Sequence, residues 1–169
     1  MAVDIVPLDA NLVARIPLVR GGAAWNGGAA KWNSYWAEVQ AQLRLTRIAV
    51  WQGQPIGYGS LLRRSTYPGF SARGVPEISD LAVAEGWRQR GIGRALIGAL
   101  ERGAVDWGYS EVGIGVGLYA DYGAAQRLYA GLGYVPDGRG ITYLNRHLPA
   151  GALIRLDDDA VLWLTRRLR

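Results

Sequence analysis

The fold is decided by one stretch, Leu81-Ala82-Val83-Ala84-Glu85-Gly86-Trp87-Arg88-Gln89-Arg90-Gly91-Ile92-Gly93-Arg94-Ala95. It reads as a strand, then a glycine-bearing loop, then a helix whose apolar residues recur at helical spacing as far as Trp107. The first turn of a helix offers unpaired N–H groups and the positive end of the helix dipole. Because Gly91 and Gly93 carry no Cβ atom, a bulky anion can approach the backbone closely. The stretch therefore predicts a site for an anion such as a diphosphate.

Three phosphate-binding patterns can be compared with this loop. A P-loop requires Gly-Lys-Ser/Thr at its end, and the chain has none here. A dinucleotide fingerprint requires a third glycine, where this chain has Leu96, and it lies early in a doubly wound fold. The pattern Arg-x-x-Gly-x-Gly fits at Arg88, Gly91 and Gly93. Neighbouring arginines can add charge-assisted contacts to the anion, each worth about 1.5–3 kcal/mol where well formed.

The rest of the chain alternates between strand and helix patterns. Strands are predicted at residues 3–7, 48–51, 56–62, 77–83, 111–116, 141–144 and 160–165, and helices at 10–19, 32–43, 92–107 and 121–132. The strand–helix order over 77–135 predicts a parallel pair of strands, and the flanking hairpins predict antiparallel pairing. We therefore expect an α/β fold with a single domain over residues 1–169, a mixed sheet of about six or seven strands, and helices on both faces.

Composition excludes several classes of function. The chain has no cysteine, so disulfides, thiolate metal sites and cysteine nucleophiles are ruled out. His147 is the only histidine, and we predict no metal site. The net charge is +5, but the arginines are scattered, so nucleic-acid binding is not expected.

The first residues lack the pattern of a signal peptide, and no stretch has the roughly 20 apolar residues that span a bilayer. The sequence predicts a soluble, cytoplasmic protein without a membrane partner.

Two signatures resemble the GNAT superfamily of N-acetyltransferases. The coenzyme A motif of that family has the form Gln/Arg-x-x-Gly-x-Gly/Ala, which is similar to residues 88–93. A second signature, A-x-x-L-Y-x-x-x-G-F/Y, is similar to residues 125–134. The close resemblance covers about residues 75–136. The family often has an asparagine three residues before Ala125, where this chain has Tyr122.

The resemblance implies that the sheet is splayed between the strands at 77–83 and 111–116, and that acetyl-CoA enters the opening. Backbone groups of the strand at 77–83 would hold the pantetheine arm and polarise the thioester carbonyl. Amides of the glycine loop, residues 89–94, would hold the pyrophosphate. The cofactor-binding residues that it implies are Leu81, Ala82, Val83, Arg88, Gln89, Arg90, Gly91, Ile92, Gly93, Arg94 and Tyr122.

Two catalytic roles, a general acid and a general base, have candidate residues. The phenol of Tyr129 can protonate the departing coenzyme A thiolate, although an aromatic at this helix position can also be a core residue. Glu77 or Asp80 can take a proton from the acceptor amine, and we favour Glu77 over Asp80. Strand alternation puts these two carboxylates on opposite faces unless a bulge intervenes. A surface role for either carboxylate stays open.

The acceptor is expected to be a primary amine of unknown identity. Six aromatic residues can line its pocket or pack in the core: Trp25, Trp32, Tyr35, Trp36, Tyr67 and Phe70. The acidic run at residues 157–159 can attract a cationic acceptor or lie in solvent.

No residue offers a covalent acyl carrier, so direct attack in a ternary complex is predicted. The protein is expected to be a monomer or a homodimer. The alternative is a non-catalytic acyl-CoA-binding or regulatory module with the same fold.

Overall fold

A mixed β-sheet runs through the part of the chain that the computed structural model describes, residues 2–16 and 27–169. Its strands are β1 (Asp4–Pro7), β2 (Arg44–Trp51), β3 (Gln54–Leu62), β4 (Glu77–Val83), β5 (Glu111–Gly117), β6 (Val135–Tyr143), β7 (Arg146–His147) and β8 (Ala160–Arg167). The helices are α1 (Ala10–Arg15), α2 (Gly28–Gln40), α3 (Pro68–Ser71), α4 (Ile92–Asp106) and α5 (Gly123–Gly131). The strand order is β1-β2-β3-β4-β5-β8-β6-β7. Only β4 and β5 pair in parallel among these strands; the other neighbours are antiparallel.

The α/β class and the mixed sheet are confirmed, and the described residues form eight strands, slightly more than the six or seven expected. The additional strand is β7, which has two residues. It folds back on β6 through a tight turn in which Leu144 and Asn145 both have positive φ angles, 51° and 60°. A strand of this length leaves no alternating pattern that a sequence can reveal.

Several element boundaries also differ from the prediction. The second helix ends at Gln40, and Leu43 is 53% exposed instead of lying on its apolar face. The helix predicted at 121–132 begins only at Gly123, and Asp121 lies in a short 3-10 turn before it. Asp9 caps α1, because its Oδ1 accepts a hydrogen bond of 2.8 Å from the Leu12 amide. The end of the helix predicted at 10–19 lies outside the described residues.

Helices cover both faces of the sheet, as predicted. Two consecutive residues of β2 show this, because their side chains point to opposite faces. Ile48 packs with Leu12 and Trp32, from α1 and α2. Ala49 packs with Leu96 of α4. The same face also carries α5, whose Tyr129 shares a core cluster with residues of α4. Within the described residues, no helix is long and apolar enough to cross a membrane.

The parallel pair opens soon after it begins. β4 and β5 are paired at only two positions, Glu77 with Gly113 and Ile78 with Ile114. β4 continues to Val83 and β5 to Gly117 without further pairing between them. The edge of β4 that faces β5 is therefore unpaired from Ser79 onward, and the sheet has a gap at its centre.

Candidate active site

The loop before α4 presents a row of free amides. Among the described residues, no backbone group accepts a hydrogen bond from the N–H groups of residues 89–94, and the first bond of the helix runs from Ala95 N to Gly91 O at 3.0 Å. Gly91 is the N-cap residue, with a left-handed φ of 82° and no side chain to cap the helix. Gly93 lies inside the helix and has no positive φ angle. Of these two glycines, only Gly91 adopts the left-handed conformation that favours glycine. An arrangement of free amides at a helix start can bind an anion.

Positive charge surrounds these amides. Arg88, Arg90 and Arg94 are all exposed, and within the described part of the chain none of them forms an ion pair. Arg88 Nε donates to the Val83 carbonyl at 3.2 Å, and the Arg90 guanidinium lies 5.1 Å from the Trp87 ring centroid. The guanidinium groups of Arg88 and Arg90 are thus held near the loop, and no carboxylate of the described residues pairs with any of the three arginines.

A cavity of about 290 Å³ fills the gap between β4 and β5. Its lining includes Glu77, Asp80 and Leu81 from β4, and Tyr129 from α5. The structure therefore brings both candidate catalytic residues to one cavity. Ala82 and Val83 do not line it; they pair with β3 at the continuation of the same strand.

A β-bulge decides which carboxylates face the gap. The register between β3 and β4 shifts between Tyr58 and Ser60, and Asp80 has a φ of 54°. Beyond the bulge, Asp80 faces α2, where the Tyr35 hydroxyl donates to its carboxylate and Lys31 Nζ lies 3.4 Å away. Glu77 faces the same side of the sheet as Asp80. The two carboxylates therefore share a face instead of lying on opposite faces as plain alternation predicts.

Glu77 is buried at the narrow end of the gap, with 8% of its surface exposed. Burial raises its pKa above the ordinary value of 4.5, while the Ser65 hydroxyl, which donates to Oε2, and the Arg44 charge act in the opposite direction. A carboxylate with a raised pKa accepts a proton more readily than an exposed one. The geometry thus gives Glu77 the properties of a general base.

Tyr129 reaches the cavity from the opposite face of the sheet. Its side chain is 6% exposed, and its hydroxyl forms no hydrogen bond with any described residue. Burial raises its pKa to about 12, so the phenol keeps its proton at neutral pH. A buried phenol without a partner leaves a donor available to a ligand in the cavity.

Tyr122 and Asp158 line one wall of the cavity, and Tyr119 supports it from outside the lining. Asp158, from the segment before β8, accepts hydrogen bonds from the hydroxyls of Tyr119 and Tyr122, the second at 2.9 Å. These bonds lower the pKa of Asp158. The Tyr122 ring lies against Gly117, where a Cβ atom would come within 2.4 Å of the ring. The sequence signals for this wall were the acidic run at 157–159 and the position of Tyr122 in the family resemblance, but neither indicated that the two meet.

The five described aromatic residues expected at an acceptor pocket do not line this cavity: Trp32, Tyr35, Trp36, Tyr67 and Phe70. Trp32, on α2, is fully buried in the cluster that this helix forms with α1 and the sheet. Tyr67 and Phe70 are fully buried in a separate cluster, where Tyr67 stacks on Trp163 at a centroid distance of 4.3 Å. Trp25 lies outside the described residues. Trp163 does line the cavity, and no sequence pattern singled it out.

His147 does not line the cavity, and the described carboxylates there are not grouped as a metal site would need. His147 is exposed in β7. No group of three or more histidine, cysteine, aspartate or glutamate residues could hold a metal ion in residues 2–16 and 27–169. The chemistry of the described cavity is that of carboxylates and phenols.

Solved structures with this fold support the assignment of the domain. A ribosomal-protein-alanine N-acetyltransferase of Brucella melitensis matches with a TM-score of 0.72 and 20% identity, over 97% of this chain and 99% of that chain. The protein yncA of Salmonella typhimurium, solved with its cofactor acetyl-CoA, matches with a TM-score of 0.69 and 20% identity, over 100% and 95%. A GNAT family acetyltransferase of Elizabethkingia anophelis with acetyl-CoA bound has a TM-score of 0.62 and 19% identity, over 98% of each chain. At these identities the likeness shows a shared fold.

Sequence comparison supplies the family. No curated protein sequence matches the chain. The model of the acetyltransferase (GNAT) family matches residues 24–134, which is more than half of the chain and includes the glycine loop, the splayed strands and Tyr129. The chain therefore belongs to the GNAT family of acetyltransferases.

Proposed function

We propose that the protein is an N-acetyltransferase that moves an acetyl group from acetyl-CoA to a primary amine by direct attack in a ternary complex. The observation that carries this proposal is the gap between β4 and β5, into which Glu77 faces from one side of the sheet and the unpartnered Tyr129 hydroxyl from the other. Two relatives with the same fold bind acetyl-CoA, which supports the choice of donor.

The anion loop has the properties required for the diphosphate of coenzyme A. The free amides of residues 89–94 and the unpaired arginines next to them would hold the two phosphates. The unpaired edge of β4 offers backbone groups of Leu81 to Val83 to the amide-bearing pantetheine arm, as an added strand would use them. Tyr122 would contact the arm where many relatives use asparagine.

The residues in the gap divide the proton transfers between them. Acetyl-CoA supplies an activated acetyl group. Glu77 accepts a proton from the acceptor amine, directly or through water, so that the amine can attack. Backbone N–H groups of β4 stabilise negative charge on the carbonyl oxygen. Tyr129 donates its proton to the coenzyme A sulfur. The chain has no cysteine, and no described residue of the gap is a convincing acyl carrier, so a single displacement is favoured.

Coenzyme A should stabilise the native protein. At a hundred times its Kd, a ligand of the native state alone adds about 2.7 kcal/mol, and a domain of this size gains about 2–4 °C in Tm per kcal/mol. We expect acetyl-CoA or coenzyme A to raise Tm by roughly 5–10 °C in a thermal shift assay. NAD and ATP, which also carry adenosine and phosphates, are the controls and should give almost no shift. An equal shift with NAD would favour the dinucleotide interpretation of the glycine loop.

Gly93→Val should weaken coenzyme A binding. A Cβ atom at this position would lie 3.2 Å from Leu128 Cδ2, so a branched side chain presses on α5 beside the free amides. Calorimetry should show at least a tenfold loss of affinity, or about 1.4 kcal/mol. The control is Gly98→Ala in the same helix, where the new Cβ atom meets Arg102 at an ordinary 3.6 Å. This control should keep its affinity and gain about 0.5–1 kcal/mol of stability. Unchanged affinity in a folded Gly93→Val protein would mean that the diphosphate lies elsewhere.

One observation favours the alternative of a non-catalytic acyl-CoA-binding module. Tyr122 replaces the asparagine of many relatives, and its hydroxyl is engaged by Asp158. The experiment that separates the two functions follows thiol release from acetyl-CoA over a panel of amines, amino acids and peptides. An N-acetyltransferase releases thiol in proportion to acetylated amine with at least one acceptor class. A binding module shows the Tm shift with coenzyme A and no acceptor-dependent release.

A further inference from the structure

Charge is segregated along the site. Every ionisable side chain that lines the central cavity is an acid, namely Glu77, Asp80, Tyr122, Tyr129 and Asp158. No arginine, lysine or histidine of the described residues lines it. The arginines of the glycine loop lie outside the cavity. The carboxylates that line the cavity would repel an acceptor that carries a carboxylate. They would attract a cationic acceptor, and no basic side chain lines the cavity to repel it.

The three carboxylates differ in how their charge is balanced. Asp80 is paired with Lys31 at 3.4 Å and also accepts a hydrogen bond from Tyr35. Glu77 is buried and lies in the field of Arg44. Asp158 has no basic partner among the described residues; two tyrosine hydroxyls hold it in place and keep it ionised. A fixed, unbalanced negative charge thus lies at the wall of the cavity.

A second observation indicates that this cavity receives a ligand. The Tyr129 hydroxyl is on a side chain more than nine-tenths buried, it lines the cavity, and it has no hydrogen-bond partner in the described residues. The hydroxyl opens onto the cavity, so this donor is available to a ligand that enters there. The volume of about 290 Å³ is at the lower end of the range for small-molecule sites, which excludes a large acceptor from the cavity itself.

We propose that the acceptor is a small aliphatic diamine, whose reacting amine lies between Glu77 and Tyr129 and whose second, protonated amine is held by Asp158. This inference rests on the proposed acetyltransferase function and names the substrate class. Asp158 is exposed to solvent, so its attraction for a cation is moderate and weakens as salt rises.

Three ligands with the same four-carbon chain test the proposal. Putrescine has a second amine, butylamine has none, and γ-aminobutyrate has a carboxylate in its place. Calorimetry on the coenzyme A complex measures their binding without turnover, and thiol release from acetyl-CoA measures kcat/KM. We expect putrescine to bind about fivefold more tightly than butylamine, the upper range for one solvent-exposed charge pair, and γ-aminobutyrate to bind most weakly. Equal binding of putrescine and butylamine would overturn the proposal.

Matched variants assign the effect to Asp158. Asp158→Asn keeps an oxygen that can accept from the tyrosines and removes the charge, so the preference for putrescine over butylamine should fall to about one. Asp159→Asn removes the same charge from the neighbouring exposed residue, which does not line the cavity, and should keep the preference. Equal loss in both variants would mean that general surface charge selects the diamine, which contradicts the site. Selective putrescine binding with no turnover of any acceptor would reject the acetyltransferase function and retain the diamine site.

Discussion

The Tyr129→Phe variant is expected to lose about 10²- to 10⁴-fold in kcat, the usual range for one general acid. The substitution removes one hydroxyl and keeps the ring. Affinity for acetyl-CoA should change little, because the lost interaction belongs to the transition state. The measurement is steady-state kinetics with an accepted amine, together with calorimetry on coenzyme A and a single-turnover experiment that shows chemistry to be rate-limiting.

Stability distinguishes this role from a packing role. The Tyr129 hydroxyl forms no hydrogen bond with the described residues, so its removal should leave the free energy of unfolding unchanged or slightly raise it. Tyr134→Phe is the matched control. Its ring centroid lies 6.1 Å from that of Tyr129, but its hydroxyl donates to Glu101 at 2.8 Å and does not line the cavity.

The two variants should therefore show opposite phenotypes. Tyr134→Phe should lose about 1–3 kcal/mol of stability and keep kcat within about twofold, since a hydrogen bond to a charged group is removed far from the reacting atoms. Tyr129→Phe should keep its stability and lose its rate. A kcat near the wild-type value in Tyr129→Phe, with chemistry limiting, would remove this residue from the mechanism.

Local features of the site were predictable from sequence. The strand, loop and helix around Gly91 were predicted correctly because each depends on neighbours in the chain: apolar spacing gives the helix, and glycine gives the left-handed cap. The β4 boundaries, Glu77–Val83, agree with the predicted residues. The family signatures lie in this same segment and in α5, which is why family and fold could be inferred together.

Features that depend on distant pairing could not be derived from local patterns. The gap in the sheet follows from how β4 and β5 diverge after two pairs, and only the family resemblance indicated it. The bulge that turns Asp80 toward α2 has no local signal, since the residue is an aspartate and not a glycine. Asp158 reaches the cavity because β8 pairs with β5 along its length, a contact between segments some 40 residues apart.

Alternating glycines in β5 were also missed. Gly113, Gly115 and Gly117 point to one face, where a Cβ atom would lie within 3 Å of Phe70, Trp163 and Tyr122 respectively. The strand is therefore flat on one side, and aromatic rings pack directly against its backbone. A sequence shows the alternation, but it does not show which rings arrive there from other elements.

The second large effect is expected for Glu77→Gln, which should lower kcat/KM by about 10²- to 10⁴-fold at neutral pH. Gln keeps the size of the side chain and an oxygen that can accept from Ser65, but it cannot take a proton. A base works only when deprotonated, so wild-type kcat/KM should rise with pH through the pKa of Glu77. Because burial raises that pKa above 4.5, the rise should occur at a higher pH than for an exposed glutamate. The Glu77→Gln variant should lose this rise in kcat/KM at acidic pH (the acidic limb of the pH profile). Its remaining pH dependence should come from the titration of the acceptor amine.

Two further variants separate Glu77 from other carboxylates. Asp80→Asn tests the second carboxylate on the same face of β4, whose contacts with Tyr35 and Lys31 give it a structural role in docking α2. Glu111→Gln removes a carboxylate from the start of β5 that pairs with Arg73 at 2.6 Å outside the cavity, and it should cost less than about 1 kcal/mol of stability and no activity. If Asp80→Asn abolishes the acidic limb while Glu77→Gln retains it, Asp80 is the base. Both carboxylates face the same cavity, so either substitution can lower the rate. The pH profile, and not the size of the rate loss, therefore shows which of the two accepts the proton.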